Sequence, residues 1–387
     1  MSTQWKPSEI VIHRKVENDP VTQSIVSRCE GIPIKFVSDA YSKSVVQASE
    51  ILRASDDAML DKILAGKQVL FISPATGGEV DQFEMKEQRM LCPHFLRLKY
   101  AMNGCFYQCD WCYLKLTYRT VRPFITVKAE YDRIIEQIEK KLNNGSEPQF
   151  LNSGEFADSL SLGHLTGAAR RFIPWFGTTE NGYLFLLTKS DNVDEILNLP
   201  HNGHTIIAWS MNNELVSRKF ETGAPSFERR LNAAQRVQEA GYPLRVRLDP
   251  IVPLNGWQEA YAETIEAIFV KVRPERITLG TLRFEDGFYK MRDSIFKSGP
   301  ELPTIIKDMQ PMFEPKLYPG KKRPSVGKRS FSEERRVEIF NFAINEIRKY
   351  SDCKIALCKE SANVWDAVDL SRSECSCDCQ FDFADMS

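Results

Sequence analysis

Apolar and polar positions follow two different rhythms along the chain, and the change comes near residue 98. Up to about residue 90 the pattern is mixed: "SDAYSKSVVQASEILRASDDAMLDKILAGK" predicts helix, "QVLFIS" a strand and "PATGG" a turn. From there on, apolar runs of strand length alternate with amphipathic helical stretches. A strand leads into a cysteine-rich loop, and "VKAEYDRIIEQIEKKLNNG" then predicts a helix with one apolar face and an Asn-Gly stop.

The alternation repeats. Strand "PQFLNSGE" precedes helix "LSLGHLTGAARRFIPWF", strand "GYLFLLTKS" precedes helix "NVDEILNL", and strand "TIIAWSMN" precedes helix "PSFERRLNAAQRVQEAG". "LRVRLDPIVP", helix "GWQEAYAETIEAIFVKV" and "RITLGTLRF" complete the series. Strand–helix units of about 30 to 40 residues mark parallel βαβ architecture. About six of them fit between residues 98 and 290, too few for an eightfold barrel and suited to an open, partial one. In either arrangement the chemistry belongs at the C-terminal ends of the strands. After 290 the regularity stops: "PKLYPGKKRPSVGKRSFSEERR" is basic and rich in Pro and Gly, "RRVEIFNFAINEIRKY" predicts a helix, and "SRSECSCDCQFDFADMS" a loop. The pattern therefore divides the chain into an N-terminal α/β extension (1–95), a barrel (96–290), and a C-terminal extension with a basic loop and a cysteine-rich tail (291–387).

Composition adds bounds rather than direction. The 387 residues can bury a sizeable core, and 42% hydrophobic with 27% charged residues is ordinary for a globular protein. A formal net charge of −1 gives no global attraction to nucleic acid, so an anionic partner has to be met by a local patch. The polar start "MSTQWKPSEIVIHRKVE" and strand-sized apolar runs predict a cytoplasmic protein without a signal peptide or membrane span.

Ten cysteines without a secretory signal argue against a disulfide framework and for metal or redox chemistry. Three of them, Cys105, Cys109 and Cys112, fall within "GCFYQCDWCYLK" at C-x3-C-x2-C spacing. A structural zinc site wants four ligands, usually as two C-x2-C pairs. Three thiolates on one loop instead suit a cubane iron–sulfur cluster with one iron open to a chelating group. A zinc loop, or three cysteines without a joint purpose, are the alternatives.

The spacing, at the end of a first barrel strand and with aromatic Trp111 before the third cysteine, resembles the radical S-adenosylmethionine (SAM) superfamily. That resemblance implies an α/β fold with a partial (β/α)6 TIM-like barrel of the radical SAM type, a [4Fe–4S] cluster on Cys105, Cys109 and Cys112, and SAM held by the open iron. It further implies one-electron cleavage of SAM to a 5′-deoxyadenosyl radical, with the electron coming from a donor such as flavodoxin or ferredoxin. "NSGEFADS" resembles the superfamily's Gly-Gly-Glu motif through Ser153, Gly154 and Glu155, which would meet the SAM ammonium. Lys189, Ser210 and Asn212 end later strands and are candidates for the SAM carboxylate and ribose.

Within the superfamily the chain resembles spore photoproduct lyase over about residues 95 to 290. The text that carries the likeness is "CDWCYL", "DSLSLGHLTGAARRFIPWFG", "LLTKSDNVDEILNLPHNGHTIIAWSMN", "KFETGAPSFERRLNAAQRVQEAGYPLRVRLDPIVPLNGWQEAY" and "TLRF". It implies a methylene-bridged thymine pair in UV-damaged DNA as substrate, hydrogen abstraction by the adenosyl radical, and quenching by a cysteine thiol through tyrosines flanking the third cluster cysteine. The sequence departs from this at two places. Glu155 stands where the family's donor cysteine belongs, and Trp111 replaces one tyrosine, leaving Tyr113. A carboxylate cannot donate a hydrogen atom to a carbon radical, so the repair mechanism does not carry over intact.

Arg283 in "TLRF" matches a position near the lesion, and Lys321, Lys322 and Arg323 belong to a basic loop able to neutralise phosphates. A solvated loop balanced by Glu333 and Glu334 is the plainer reading of that run. Cys353, Cys358, Cys375 and Cys377 are candidates for a second metal or cluster, for unligated thiols, or for the missing hydrogen donor. Asp158 joins Glu155 as a candidate acid or base. The expectation is radical hydrogen abstraction on a nucleic-acid base, in repair or modification. The alternatives are radical modification of a peptide or small metabolite, and a metal-bearing nucleic-acid binding module without catalysis.

Overall fold

The structure is a computed structural model and describes residues 4–55, 58–83, 89–91, 95–115, 122–143, 148–296, 301–317 and 327–371. Strands β1 (Glu9–His13), β2 (Ile34–Val37) and β3 (Val69–Ser73) pair in parallel in the order β2-β1-β3. Next come β4 (Val80–Phe83), β5 (Met90–Leu91), β6 (Phe95–Leu98), β7 (Ala101–Met102) and β8 (Ile125–Lys128). β8 lies parallel to β3 and antiparallel to β7, which completes a five-stranded sheet.

The larger sheet is built from β6 with β9 (Gln149–Asn152), β10 (Gly182–Thr188), β11 (Thr205–Ser210), β12 (Leu244–Ile251) and β13 (Arg276–Thr281), all parallel and adjacent in chain order. β14 (Arg283–Glu285), β15 (Gln310–Pro311) and β16 (Lys328–Ser330) form a small antiparallel sheet. β17 (Lys354–Leu357) extends the parallel run past β13, and β4 closes its other edge against β6. "TIIAWS" and "RITLGT" are buried at every position, as strands covered on both faces must be.

Beyond β17, β18 (Glu360–Ser361) pairs antiparallel with β5, placing Glu360 opposite Leu91 and Ser361 opposite Met90. Lys359 sets its ammonium 5.3 Å from the centre of the Phe83 ring. Segments flanking the two ends of the parallel run are thereby brought together. Strands from both sides of residue 95 are shared between the sheets, since β4 joins the larger one and β8 the smaller.

Helices between the parallel strands bury one face. Tyr131, Ile134, Ile135, Ile138 and Leu142 line the buried side of Tyr131–Leu142, and Ser226 caps Phe227–Glu239 by accepting from Arg229 N–H. Three sequence expectations need correction. "NVDEILNL" is not a helix but a chain of tight turns, with Ile196 N–H donating to Val193 and Leu199 N–H to Ile196, and Pro200 ends it. "LSLGHLTGAARRFIPWF" breaks into Gly163–Thr166 and Ala168–Phe176 at Gly167, whose φ of 62 takes it out of the helical region. Val127 and Lys128 belong to β8 rather than to the helix that follows. Among the described residues no helix is long and apolar enough to cross a membrane.

Candidate active site at the strand C-termini

The cysteine loop starts where β7 ends. Gly104 lies against the turn after β9: its N–H donates to Phe156 O (3.0 Å) and its carbonyl accepts from Asp158 N–H (3.3 Å). A Cβ at 104 would fall 2.6 Å from Ala101 Cβ and 2.9 Å from Ala157 Cβ, so only glycine permits the approach. On either side of Cys109, Gln108 N–H donates to Thr222 O (2.8 Å) and Asp110 N–H to Phe220 O (2.9 Å). The Lys67 ammonium donates to Cys105 O, and buried Lys115 stands 3.6 Å from the Asp110 carboxylate.

All three thiols are free. Burial pushes the Cys109 thiol up to about 12 and the Cys105 thiol well above its usual range. Cys109 and Cys112 add to the shift at Cys105, and Cys112 to that at Cys109, so the three thiols lie within electrostatic reach of one another. Lys67 acts against the shift at Cys105, and Lys189 with Arg230 act against it at Cys109. Among the described residues no three His, Cys, Asp or Glu side chains gather tightly enough for a single metal ion. A cubane asks for a wider set, one thiolate on each of three irons. Three thiols within electrostatic reach of one another on one pinned loop, with cations beside them, suit that demand.

Past β9, Asn152 Oδ1 accepts from Gly154 N–H (2.7 Å), and Ser153 Oγ is taken up by Ser159 Oγ (2.8 Å) and Phe185 O (3.2 Å). A side chain at Gly154 would meet Leu187 Cβ at 2.5 Å. Tyr113, 46% exposed, donates its hydroxyl hydrogen to the Glu155 carbonyl, so these two residues do come together. Asp158 is buried and accepts from Thr188 Oγ1 (2.7 Å) and from the N–H groups of Lys189 (2.7 Å), Leu160 (3.1 Å) and Ser161 (2.9 Å). Burial raises its pKa against those bonds. It staples two strand ends.

Lys189 stands at the end of β10 with its ammonium 3.4 Å from Glu221 Oε1. Glu221 pairs on its other side with Arg230 Nη2 (2.5 Å), and neither of those two side chains has any exposed surface. Burial pushes the Glu221 carboxyl up, but Arg230 and Lys189 outweigh it and hold it below the usual carboxylate range. Arg230 also donates to Pro225 O (2.8 Å) and Ser210 O (3.1 Å), tying this group to the end of β11. Asn212 is occupied by the fold: its amide donates to Pro250 O (2.9 Å), and its Oδ1 accepts from Tyr261 O–H and Asn213 N–H. A cavity of about 160 Å³ borders Phe106 and Tyr107 of the loop, with Trp5, Asp191 and Arg229 also on its wall.

The far strand ends carry a second charged group. Arg283 Nη2 donates to Asp249 (3.1 and 3.2 Å) and to Cys358 Sγ (3.0 Å), and Arg247 Nη2 donates to Asp249 (2.6 Å) and Cys358 Sγ (3.1 Å). Burial alone would raise the Asp249 carboxyl, yet Arg283 and Arg247 hold it far below the carboxylate range. Cys358 is thus engaged by guanidinium groups, while Cys353 sits half-buried near Ser351. Cys375 and Cys377 lie outside the described residues, as do Lys321, Lys322 and Arg323. Sequence reasoning singled out none of Glu221, Arg230, Arg247, Asp249 and Lys115, although all five lie within the stretches quoted above, because nothing in their spacing marks them as partners.

A parallel run with a three-thiol loop between its first two strands, β6 and β9, and cations at later strand ends defines a site of the radical SAM class. Within that class the chain belongs to the spore photoproduct lyase family, whose family model matches residues 98–291. Spore photoproduct lyase of Geobacillus sp. (strain Y412MC61) is 33% identical over 184 residues, 47% of this chain and 53% of that protein. The Bacillus subtilis (strain 168) protein of the same name is 33% identical over 168 residues, 43% and 48% of the two chains. The chain thus spans about half the length of these curated relatives. The solved structure of spore photoproduct lyase complexed with dinucleoside spore photoproduct matches with a TM-score of 0.75 at 22% identity, over 92% of this chain and 99% of that one. A variant of spore photoproduct lyase with bound AdoMet and dinucleoside spore photoproduct matches equally, at 0.75 and 22%. These structures establish the mixed α/β fold.

Proposed function

We propose that the chain is a radical SAM enzyme acting on a nucleic-acid base. The observation that carries this reading is the loop, pinned by backbone hydrogen bonds on both sides of Cys109, that holds the free thiols of Cys105, Cys109 and Cys112 close together, with Lys189 near Cys109. The three thiols would hold a [4Fe–4S] cluster, on a partial (β/α)6 barrel formed by residues 96–290 between extensions 1–95 and 291–387. When bound, cluster and SAM supply a carbon-centred radical able to take a hydrogen atom from a C–H bond.

The roles left to the protein follow from chemistry. Lys189 offers its ammonium to the SAM carboxylate, and the turn Ser153-Gly154-Glu155 offers backbone carbonyls and a carboxylate to the SAM ammonium. Ser210 and Asn212 offer hydrogen bonds to the ribose, Asn212 being held in place by Pro250 O and Tyr261 O–H. Arg283 and the basic stretch that includes Lys321, Lys322 and Arg323 meet phosphate, and a one-electron donor of the flavodoxin or ferredoxin kind supplies the electron. Nucleic acid as the substrate rests on the family's lyases, two of whose solved structures hold a dinucleoside photoproduct.

Repair and modification are separated by the hydrogen donor. No thiol stands at the β9 turn, where Glu155 is found with Tyr113 hydrogen-bonded to its carbonyl. The deciding experiment reconstitutes the protein anaerobically, adds SAM and dithionite, and measures 5′-deoxyadenosine and lesion with and without UV-irradiated DNA. Lesion loss with recovered thymine establishes a lyase. SAM cleavage that leaves the lesion untouched assigns a different base substrate, a peptide or a metabolite. An intact cluster that never cleaves SAM refutes the radical reading and leaves the binding module.

A further inference from the structure

The buried group of Lys189, Glu221 and Arg230 is built into the same segment that grips the cysteine loop. Phe220 O and Thr222 O accept from Asp110 N–H (2.9 Å) and Gln108 N–H (2.8 Å), one on each side of Cys109. The Phe220 ring packs against Trp111 at 5.9 Å between centroids. Glu221, the residue between those two carbonyls, reaches with its side chain to Lys189 and Arg230. Three consecutive residues therefore hold the loop with backbone and the β10 amine with a carboxylate.

The charges in this group do not cancel. One carboxylate faces a guanidinium and an ammonium, which leaves one net positive charge where Glu221 and Arg230 have no exposed surface at all. The buried pair of Glu221 and Arg230 is neutral, so the surplus charge falls on Lys189, where an anion can complete it. Lys189 is the member turned outward, 16% exposed, and its 3.4 Å separation from Glu221 is longer than a charge-assisted hydrogen bond of about 2.7–2.9 Å. The amine is held near the carboxylate yet is free to bond elsewhere.

We infer that Glu221 is a positioning residue: it fixes the Lys189 ammonium in register with Cys109 as the receptor for one monoanionic group. This rests on the reading above, in which that group is the carboxylate of SAM. Glu221 does not touch the ligand. It sets where the amine waits, and Arg230 sets how strongly the carboxylate retains it.

The test is SAM titration of the reduced, reconstituted protein, followed by the change SAM causes in the electron paramagnetic resonance signal of the cluster. Glu221→Gln frees the amine and leaves it facing Arg230. Arg230→Met leaves the amine as the carboxylate's sole cationic partner, so that the two charges neutralise each other and the amine is clamped. Each is expected to raise the SAM concentration at half-change by roughly tenfold or more, the scale for removing one partner of a buried charge pair. The double variant E221Q/R230M restores the net charge without the tether. Half-change in the double variant is expected to stay raised, while its cluster signal without added SAM matches that of the unaltered protein. A double variant that titrates like the unaltered protein overturns the inference in favour of net charge alone. Should glutamine at 221 prevent cluster assembly, Arg230→Met decides by itself, and an unchanged titration there also overturns it. A cluster signal in the unaltered protein that ignores SAM refutes the underlying reading instead.

Discussion

Gly280 has no room for a side chain, and the reason makes it a sharp probe of the far strand ends. A Cβ at this position in β13 would lie 2.1 Å from Asp249 Oδ1 and 2.5 Å from its Cγ, with Arg283 Nη1 at 3.0 Å. Gly280→Ala must therefore push Asp249 aside, away from Arg247 Nη2 at 2.6 Å and Arg283 Nη2 at 3.1 Å. Stripping the counter-ion from a buried ion pair costs about 3–5 kcal/mol. Without a clash, Gly→Ala in permitted backbone stabilises by about 0.4–1 kcal/mol through the unfolded chain. The two effects have opposite signs, so the measurement is decisive. We expect a net loss of about 3 kcal/mol in urea unfolding of the cluster-free protein, with Asp249→Asn, which leaves the glycine in place, losing a similar amount. Cys358, whose sulfur both guanidinium groups engage, should also become reactive towards a thiol reagent in the Gly280→Ala protein. Stability within about 1 kcal/mol of the unaltered protein, with Cys358 still protected, would show that Asp249 is not the fixed hub described.

Other consequences are as direct. Glu79 accepts from Thr76 N–H and Oγ1, Gly77 N–H and Gln137 Nε2 and lies 3.4 Å from Lys128; these outweigh burial and hold its carboxyl at about 2. Its stabilisation is complete above the ordinary value of 4.5 and is lost as pH falls towards 2, so Glu79→Gln should show a flatter stability profile in that window; identical slopes would count against it. Burial, with Lys359 and Arg283 nearby, pulls the Lys328 amine down to about 8. On the proposed nucleic-acid reading, affinity for DNA should weaken between pH 7 and 9 in the unaltered protein and stay level in Lys328→Met, as filter binding at fixed salt would reveal; equal slopes would count against a role for this amine. Replacing Cys105, Cys109 and Cys112 together by alanine should abolish the iron–sulfur chromophore while the urea midpoint of the cluster-free protein moves little; retained chromophore would place the cluster elsewhere.

What could be read from the sequence was whatever is local. Cysteine spacing singled out the loop, and apolar strands ending in Glu155, Lys189 and Ser210 marked the rim on which the structure sets them. Lys189 could be placed by its strand, but nothing local pairs it with Glu221, because an ion pair needs only proximity, which the fold supplies across 32 positions. The same holds for Cys358, read as a metal candidate and found against Arg247, 111 positions away. Local rules failed in "NVDEILNL", where apolar residues at helical spacing pack inward from tight turns, and at Gly167, whose positive φ outweighs a favourable helical pattern on both sides. Asn212 shows what reasoning from strand ends leaves out: the same polar residue also braces Tyr261 and Pro250, contacts that no local pattern announces.

The pairing of β18 with β5 and of β17 with β13 also bears on how the chain is made. Everything from β6 to β13 leaves the ribosome before the strand that covers β13 exists. At about 5–20 residues per second the open edge of β13 waits for seconds, presenting "RITLGT" with unpaired backbone groups. During that interval the end of the run near Cys358 is unfinished and the residues that later meet Met90 and Leu91 are still unmade. The last strands thus act as a timer, and nascent chains stalled before residue 354 are the ones a chaperone would be expected to hold.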